Sequence, residues 1–229
     1  MKTQQQYLDD LKTFEGKLGF DPSEVSQSSD EWHMMRLGVI SASKADCLLA
    51  GTKTAKYNTY LNELIAEICT GRYNETTAAS MQWGKDNELA ALSAFEFHSG
   101  LEVYALPFIY KDESMRVGCS PDGMTEQGGI EAKCPKTSKV HIDFLFDGVM
   151  KSEYVKQVQF QMWVTGTDSW TFLSYDPRMK KNLLHSKLIE RDEKTMKLLD
   201  EAAAEFTKKM DDKLKSQGFA FGEQWEAIE

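Results

Sequence analysis

The run Ser120–Lys133, SPDGMTEQGGIEAK, lies near the middle of the chain and constrains its folding more than any other stretch. Its glycines and the polar Glu126-Gln127 predict a β-hairpin. Gly128-Gly129 is a turn signal, and Ile130–Lys133 reads as the strand that follows. Successive side chains of a strand alternate faces, so Glu131 and Lys133 share one face while Ile130 and Ala132 take the other. If the arms pair about Glu126 and Gln127, Asp122 stands opposite Glu131. Two carboxylates and an amine then converge on one point.

Carboxylate oxygens are the ligands Mg²⁺ prefers, and the ion keeps positions for water and for phosphate oxygens. A neighbouring lysine can orient or deprotonate a water and offset negative charge building on phosphorus. Pro-Asp, a spacer and acid-x-Lys therefore suit hydrolysis of a phosphodiester. Taken alone the pattern fits a surface hairpin with a solvated Glu–Lys pair equally well, and both readings stand at this point.

The remaining chain supplies the context. Tyr7, Leu8, Leu11 and Phe14 fall at helical spacing up to Gly16. A polar linker then leads to a short helix over Glu31–Leu37, with Asp30 as its cap and Gly38 as its stop. Ser41-Ala42-Ser43 offers N-cap candidates for a helix to Ala50, and Gly51–Lys56 reads as a lysine-bearing loop. Leu61, Leu64, Ile65 and Ile68 mark a helix closed by Gly71. Another runs from about Thr77 to His98, with Leu89, Leu92 and Phe95 on its buried side. Beyond Gly100 the pattern changes to strands over 101–110, 115–120 and 130–134. Helix returns over 154–164, with Val155, Val158 and Met162 on one side. Two strands, 169–175 and 184–190, and a long helix from Asp192 to about Gln217 follow. This order predicts an α/β fold: a central mixed β-sheet flanked by helices, with a helical N-terminal part, as a single domain over 1–229.

Of the 229 residues, 41% are hydrophobic and 28% charged, ordinary values for a globular domain. No apolar run is long enough to span a bilayer, and MKTQQQYLDD lacks a secretory signal's apolar core, so a cytoplasmic protein without membrane attachment is expected. Cys47, Cys69, Cys119 and Cys134 are dispersed, without C-x-x-C or zinc spacing, and read as reduced thiols. The formal net charge of −9 argues against a protein that coats nucleic acid over its whole surface. It leaves room for a local basic groove, and Lys133, Lys136 and Lys139 follow the hairpin while Arg178, Lys180 and Lys181 crowd another segment.

Several segments in one order now carry a resemblance: WHMMRLGVISAS (Trp32–Ser43), WGKDNE (Trp83–Glu88), YKDESMR (Tyr110–Arg116), CSPDG (Cys119–Gly123), EAKCP (Glu131–Pro135), QVQFQMWVT (Gln157–Thr165), YDPRMK (Tyr175–Lys180), ERDEK (Glu190–Lys194) and FGEQW (Phe221–Trp225). The chain resembles the lambda-type phage exonucleases, alkaline exonucleases of the restriction-endonuclease-like superfamily. The likeness covers residues 31–225 as a nuclease core. Residues 1–30 match poorly, and 226–229 form an extra tail.

The resemblance implies a processive 5′→3′ exonuclease that digests one strand of linear duplex DNA from 5′-phosphorylated ends. It further implies Mg²⁺ (with Mn²⁺ as a possible substitute), a homotrimeric ring, a single-strand annealing recombinase as partner, and a bacterial host cytoplasm if the gene is a phage's. By position, Asp122, Glu131 and the carbonyl of Ala132 would ligand metal, Lys133 would serve the water, and Glu88 would be a further acid nearby. Arg36, Ser43, Ser120 and Gln157 would form a pocket for the terminal 5′-phosphate. An arginine fork and neutral donors suit that role. Ser41, Lys53, Met81, Lys139 and Tyr154 are candidates for DNA contact, and Gln161 for lining the channel beside Tyr154. Met81 stands where the family carries its strand-separating hydrophobic wedge, and Lys139 where a relative has arginine; lysine cannot make arginine's fork. Three other readings stay open: a site-specific endonuclease of the same fold, an iron–sulfur nuclease (disfavoured by the scattered cysteines) and a non-catalytic DNA-end-binding module.

Overall fold

A computed structural model describes residues 1–73 and 79–226, with the side chains of residues 79–81 outside the description. Five helices precede the gap: α1 (Gln4–Lys12), α2 (Glu15–Leu18), α3 (Asp30–Met35), α4 (Ala45–Leu48) and α5 (Ala55–Thr70), with the short strand β1 (Ile40–Ser41) between α3 and α4. Thr3 and Gln6 form a capping box on α1. The cap of α3 is Ser29, whose Oγ accepts from the Trp32 amide, and Asp30 is the first helical residue instead. Lys44 precedes α4 without a side-chain cap, so neither Ser41 nor Ser43 caps it.

Helix α6 (Ala79–Ser99) leads into the strands β2 (Ile109–Tyr110), β3 (Val117–Cys119), β4 (Gly123–Thr125) and β5 (Gly128–Lys133). Then come α7 (Ser138–Asp147), α8 (Ser152–Thr165), β6 (Ser169–Tyr175), β7 (Leu184–Glu190) and α9 (Glu193–Ser216). Residues 140–150, ambiguous by pattern, belong mostly to α7. The α/β class and flanking helices are as expected, but the strands form two mixed sheets rather than one. The first has the order β1-β3-β2, with β1 parallel and β2 antiparallel to β3. The second has the order β4-β5-β6-β7, with only β5 and β6 parallel.

Residues 101–108 explain the split. The expected long strand reduces to Ile109-Tyr110 and one isolated bridge, Tyr104 to Met124. Pro107 has no amide to give a ladder, and the carbonyls of Leu106 and Pro107 accept from Gln27 and Trp32 side chains instead. Leu106 to Tyr110 are all buried, without the alternation of a half-exposed strand. The chain crosses from the first sheet to the second at Ser120-Pro121-Asp122.

The second sheet is covered on both faces. Ala91 and Phe95 of α6 pack on Ile130, Ala132, Leu173 and Tyr175. On the opposite side Val158 and Met162 of α8 join Phe144 and Phe172, with Phe206 and Met210 of α9 behind them. Each such side chain taken fully out of water stabilises the fold by about 1.5–3 kcal/mol. Leu89, expected in the α6 core stripe, is 77% exposed. The stripe is Glu88, Ala91, Leu92 and Phe95, an i, i+3, i+4, i+7 series in which a carboxylate occupies one core-facing position. Val155 likewise turns outward while Val158 and Met162 are buried. No helix among the described residues is long and apolar enough to cross a membrane.

Candidate active site

Strand pairing builds the site. The register Gly123 to Ile130 and Thr125 to Gly128 makes Glu126-Gln127 the turn and sets Asp122 opposite Glu131. Gly128-Gly129 is strand rather than turn. The amide of Ala132 donates to Asp122 Oδ2 at 2.7 Å, fastening the carboxylate to the partner arm. Across the face from Ala132, Lys133 Nζ donates to Glu131 Oε1. Two amides from α8 complete the shell of Glu131: Gln157 Nε2 reaches Oε1 at 2.7 Å and Gln161 Nε2 reaches Oε2 at 2.7 Å. Glu131 is 1% exposed.

The electrostatics follow from crowding acids in a dry place. Burial pushes the Asp122 carboxyl well above the usual carboxylate range, and Glu131 and Glu88 push it further. Glu88 rises for the same reasons, burial first and then Glu131. Burial works against the Lys133 ammonium, but Glu131 and Asp122 outweigh it and hold its pKa above the ordinary lysine value. Three carboxylates against one buried ammonium leave a negative potential that a cation would relieve. Among the described residues no three His, Cys, Asp or Glu side chains gather as a metal cage. Mg²⁺ does not need one, since one or two carboxylates with waters and phosphate oxygens suffice. Asp122 and Glu131 fit it.

Beside these groups lies a cavity of about 360 Å³. Asp122, Glu131, Lys133 and Glu88 line one part of it; Arg36, Ser41, Ser43, Ser120 and Gln157 line the rest. The expected phosphate pocket and the expected catalytic residues therefore share one space. The Arg36 guanidinium lies over the Trp32 ring, 3.9 Å from its centroid. Trp32 is itself fixed by its indole N–H, donated to the Pro107 carbonyl at 2.8 Å and to Ser120 Oγ at 3.2 Å. Among the described residues Arg36 Nε is buried without a hydrogen-bond partner and Arg36 forms no ion pair. Burial lowers its pKa, yet an arginine remains cationic. The result is a guanidinium preset for an anion.

A second cavity, about 600 Å³, opens on the other side of Asp122, Lys133 and Glu88. Tyr154, Phe144 and Phe172 supply its aromatic floor, and Lys85, Lys136 and Lys151 stand at its walls. Lys133 and Lys151 each lie 5.4 Å from the Tyr154 ring centroid. Other expected contact residues fall elsewhere. Lys53 is exposed in the turn before α5. Lys139 is exposed on α7, paired with Asp143 and outside both cavities. The Met81 side chain lies outside the described residues. Gln161, expected to line a channel, is fully buried and turned onto Glu131. Arg178, read as part of a basic patch, instead ties Asp176 to the Pro135 and Lys136 carbonyls just after β5. Trp32, Gln27 and Lys85 were not expected in the site, although Trp32 stands one helical turn before Arg36.

Comparison with known proteins bears on the family and the fold. Residues 31–168 match the family described as the YqaJ-like viral recombinase domain. The crystal structure of an alkaline exonuclease, LHK-Exo, from Laribacter hongkongensis superposes with a TM-score of 0.76 at 31% identity, over 82% of this chain and 96% of that one. The same protein in complex with dAMP superposes equally well. A phage related exonuclease from Haemophilus somnus 129PT, 13% identical, shares the fold with a TM-score of 0.63 over 79% of this chain and 96% of its own. An Escherichia coli (strain K12) protein named ExoD is 55% identical over 76 residues, 33% of this chain and 87% of that protein. On a match spanning more than half its length, the chain belongs to the YqaJ-like viral recombinase domain family, consistent with the resemblance to lambda-type exonucleases.

Proposed function

We propose that this protein is a Mg²⁺-dependent 5′→3′ exonuclease that digests one strand of linear duplex DNA from 5′-phosphorylated ends. It would release mononucleotides and leave a 3′ single-stranded overhang for recombination by strand annealing. One observation carries the reading: a single cavity holds Asp122, Glu131 and Lys133 on one part of its wall and, on another, the guanidinium of Arg36, which has no ion pair among the described residues. A terminal phosphate monoester carries more charge than a diester within a strand, so a dedicated arginine beside the cutting groups favours a strand that ends there. The alkaline exonuclease named among the similar structures supports the reaction class.

Asp122, Glu131 and the Ala132 carbonyl would hold Mg²⁺, with Mn²⁺ as a substitute. When bound, such an ion polarises the scissile phosphate and makes a water more acidic. The chain's own groups do the rest. Lys133, anchored on Glu131, orients the attacking water and offsets charge on the phosphate, with Glu88 close by. Arg36, aided by Ser43 and Ser120, holds the 5′-phosphate and so places the first phosphodiester. Tyr154 and the lysines of the larger cavity flank the strand. The same reading brings a homotrimeric ring, a single-strand annealing recombinase as partner and the bacterial cytoplasm as the place of work.

The test is time-resolved digestion of end-labelled DNA. Linear duplex with a 5′-phosphate should lose labelled mononucleotide in Mg²⁺ and not in EDTA, more slowly with a 5′-hydroxyl, and closed circular duplex should survive. Nicking of the closed circle would favour a site-specific endonuclease. End binding without nucleotide release would favour a silent binding module.

A further inference from the structure

Glu131 is held from three sides, and the two oxygens are treated differently. Oε1 accepts from both Lys133 Nζ and Gln157 Nε2, whereas among the described residues Oε2 accepts only from Gln161 Nε2. A carboxylate oxygen offers two lone pairs in its plane. Those of Oε1 are both engaged, and Oε2 keeps one. Gln157 and Gln161 stand at i and i+4 on α8, so one helical face aims two amides at one carboxylate.

We propose that Gln161 is a positioning residue that turns Glu131 so that Oε2 is the oxygen offered to a divalent cation. This rests on the metal-dependent reading given above. A second observation separates the role from simple core filling. Gln161 is 0% exposed and its own Oε1 has no hydrogen-bond partner. A buried acceptor without a donor is costly, so packing alone favours an apolar side chain of this shape. The amide is therefore explained by its bond to Glu131.

The experiment compares wild type with Gln161→Met, which keeps the length of the side chain and removes the donor. Mn²⁺ binding to the DNA-free protein is followed by the electron paramagnetic resonance signal of free Mn²⁺, and thermal melting is followed in EDTA. Loss of a hydrogen bond that orients a metal ligand weakens affinity by about 10–100-fold. That drop is expected at a temperature where the variant is fully folded, with a melting temperature in EDTA below wild type because the buried Glu131 Oε2 loses its donor. Should Gln161→Met fail to fold, Gln161→Leu is read the same way. Unchanged Mn²⁺ affinity in a variant folded at the assay temperature overturns the proposal. A wild-type protein with no Mn²⁺ site overturns the metal-dependent reading and this inference together.

Discussion

Arg36 carries a charge that no ion pair among the described residues neutralises, in a cavity it shares with Asp122, Glu131 and Glu88. Charge-assisted hydrogen bonds are worth about 1.5–3 kcal/mol, or roughly 10–150-fold in binding. Arg36→Lys keeps the charge but loses the fork and the stacking on Trp32. It should lower the preference for 5′-phosphate over 5′-hydroxyl ends by roughly tenfold, measured by competition between the two duplexes. An unchanged preference would remove Arg36 from the pocket. Asp122 yields a pH prediction. Its carboxyl titrates above the unfolded value, so the folded apo protein binds a proton that the unfolded chain has released. Stability attributable to this group is present below the unfolded carboxylate pKa and is lost as pH rises towards the raised one. Melting curves in EDTA should therefore show Asp122→Asn gaining on wild type as pH rises from acid to neutral, while its Mg²⁺-dependent digestion is nearly abolished. A stability gap that does not vary with pH contradicts the assignment. Asp122, Glu131 and Lys133 were legible because a hairpin fixes their relations within 14 positions of sequence, whereas Arg36 was reached through the family resemblance alone. Gln161 and Lys85 gain their roles from α8 and α6, and Trp32 gains its bond to Ser120 from α3, which no local pattern reveals.

At the scale of the element, β5 owes its place to a neighbour. Gly129 faces Trp170 of β6, and a Cβ added there would lie 2.2 Å from the indole ring; Gly128 has φ +145° with the Ser169 carbonyl against it. A glycine pair before Ile130 reads as a turn from sequence, but here it lets β5 lie close beside β6 in the parallel pair that carries Glu131 and Lys133. Gly129→Ala forces the fully buried Trp170 to move, and overpacking of this kind costs about 1–3 kcal/mol. A fall of several degrees in melting temperature is expected, with loss of digestion larger than the stability change alone explains, because β5 shifts with Glu131 and Lys133 on it. A variant as stable and active as wild type would mean that β5 tolerates the displacement. The helices were the easier elements to read, since α5 and α9 bury regular stripes, whereas α8 is buried all round from Val158 to Val164. Strand 101–110 failed because Pro107 and side-chain partners took its backbone bonds. Leu89 failed because Glu88 holds the inward-facing position beside it, in the stripe with Ala91, Leu92 and Phe95.

At the scale of the whole molecule, net charge and local charge point in opposite directions. A formal charge of −9 surrounds cavities walled by Arg36, Lys85, Lys133, Lys136 and Lys151. Such a distribution draws a polyanion to the working face and discourages loose binding elsewhere. It does not explain α6, which presents Leu89 at 77% and Phe97 at 87% exposure on its outward side. Large apolar side chains exposed on the helix that also carries Glu88 and Lys85 suit a face covered by another copy of the chain. Under the ring assembly proposed above, that covering would hold the active sites around a common DNA path. Phe97→Asp places a charge in such a contact and, being fully exposed in the single chain, should leave the fold intact. Light scattering should then give a trimer mass for wild type and a smaller one for the variant. On long duplex the variant should release substrate early, giving many partly digested molecules, while short duplexes are still cut. A wild-type monomer, or a variant of the same mass and processivity, would separate the exposed face of α6 from assembly and leave the ring without support from this surface.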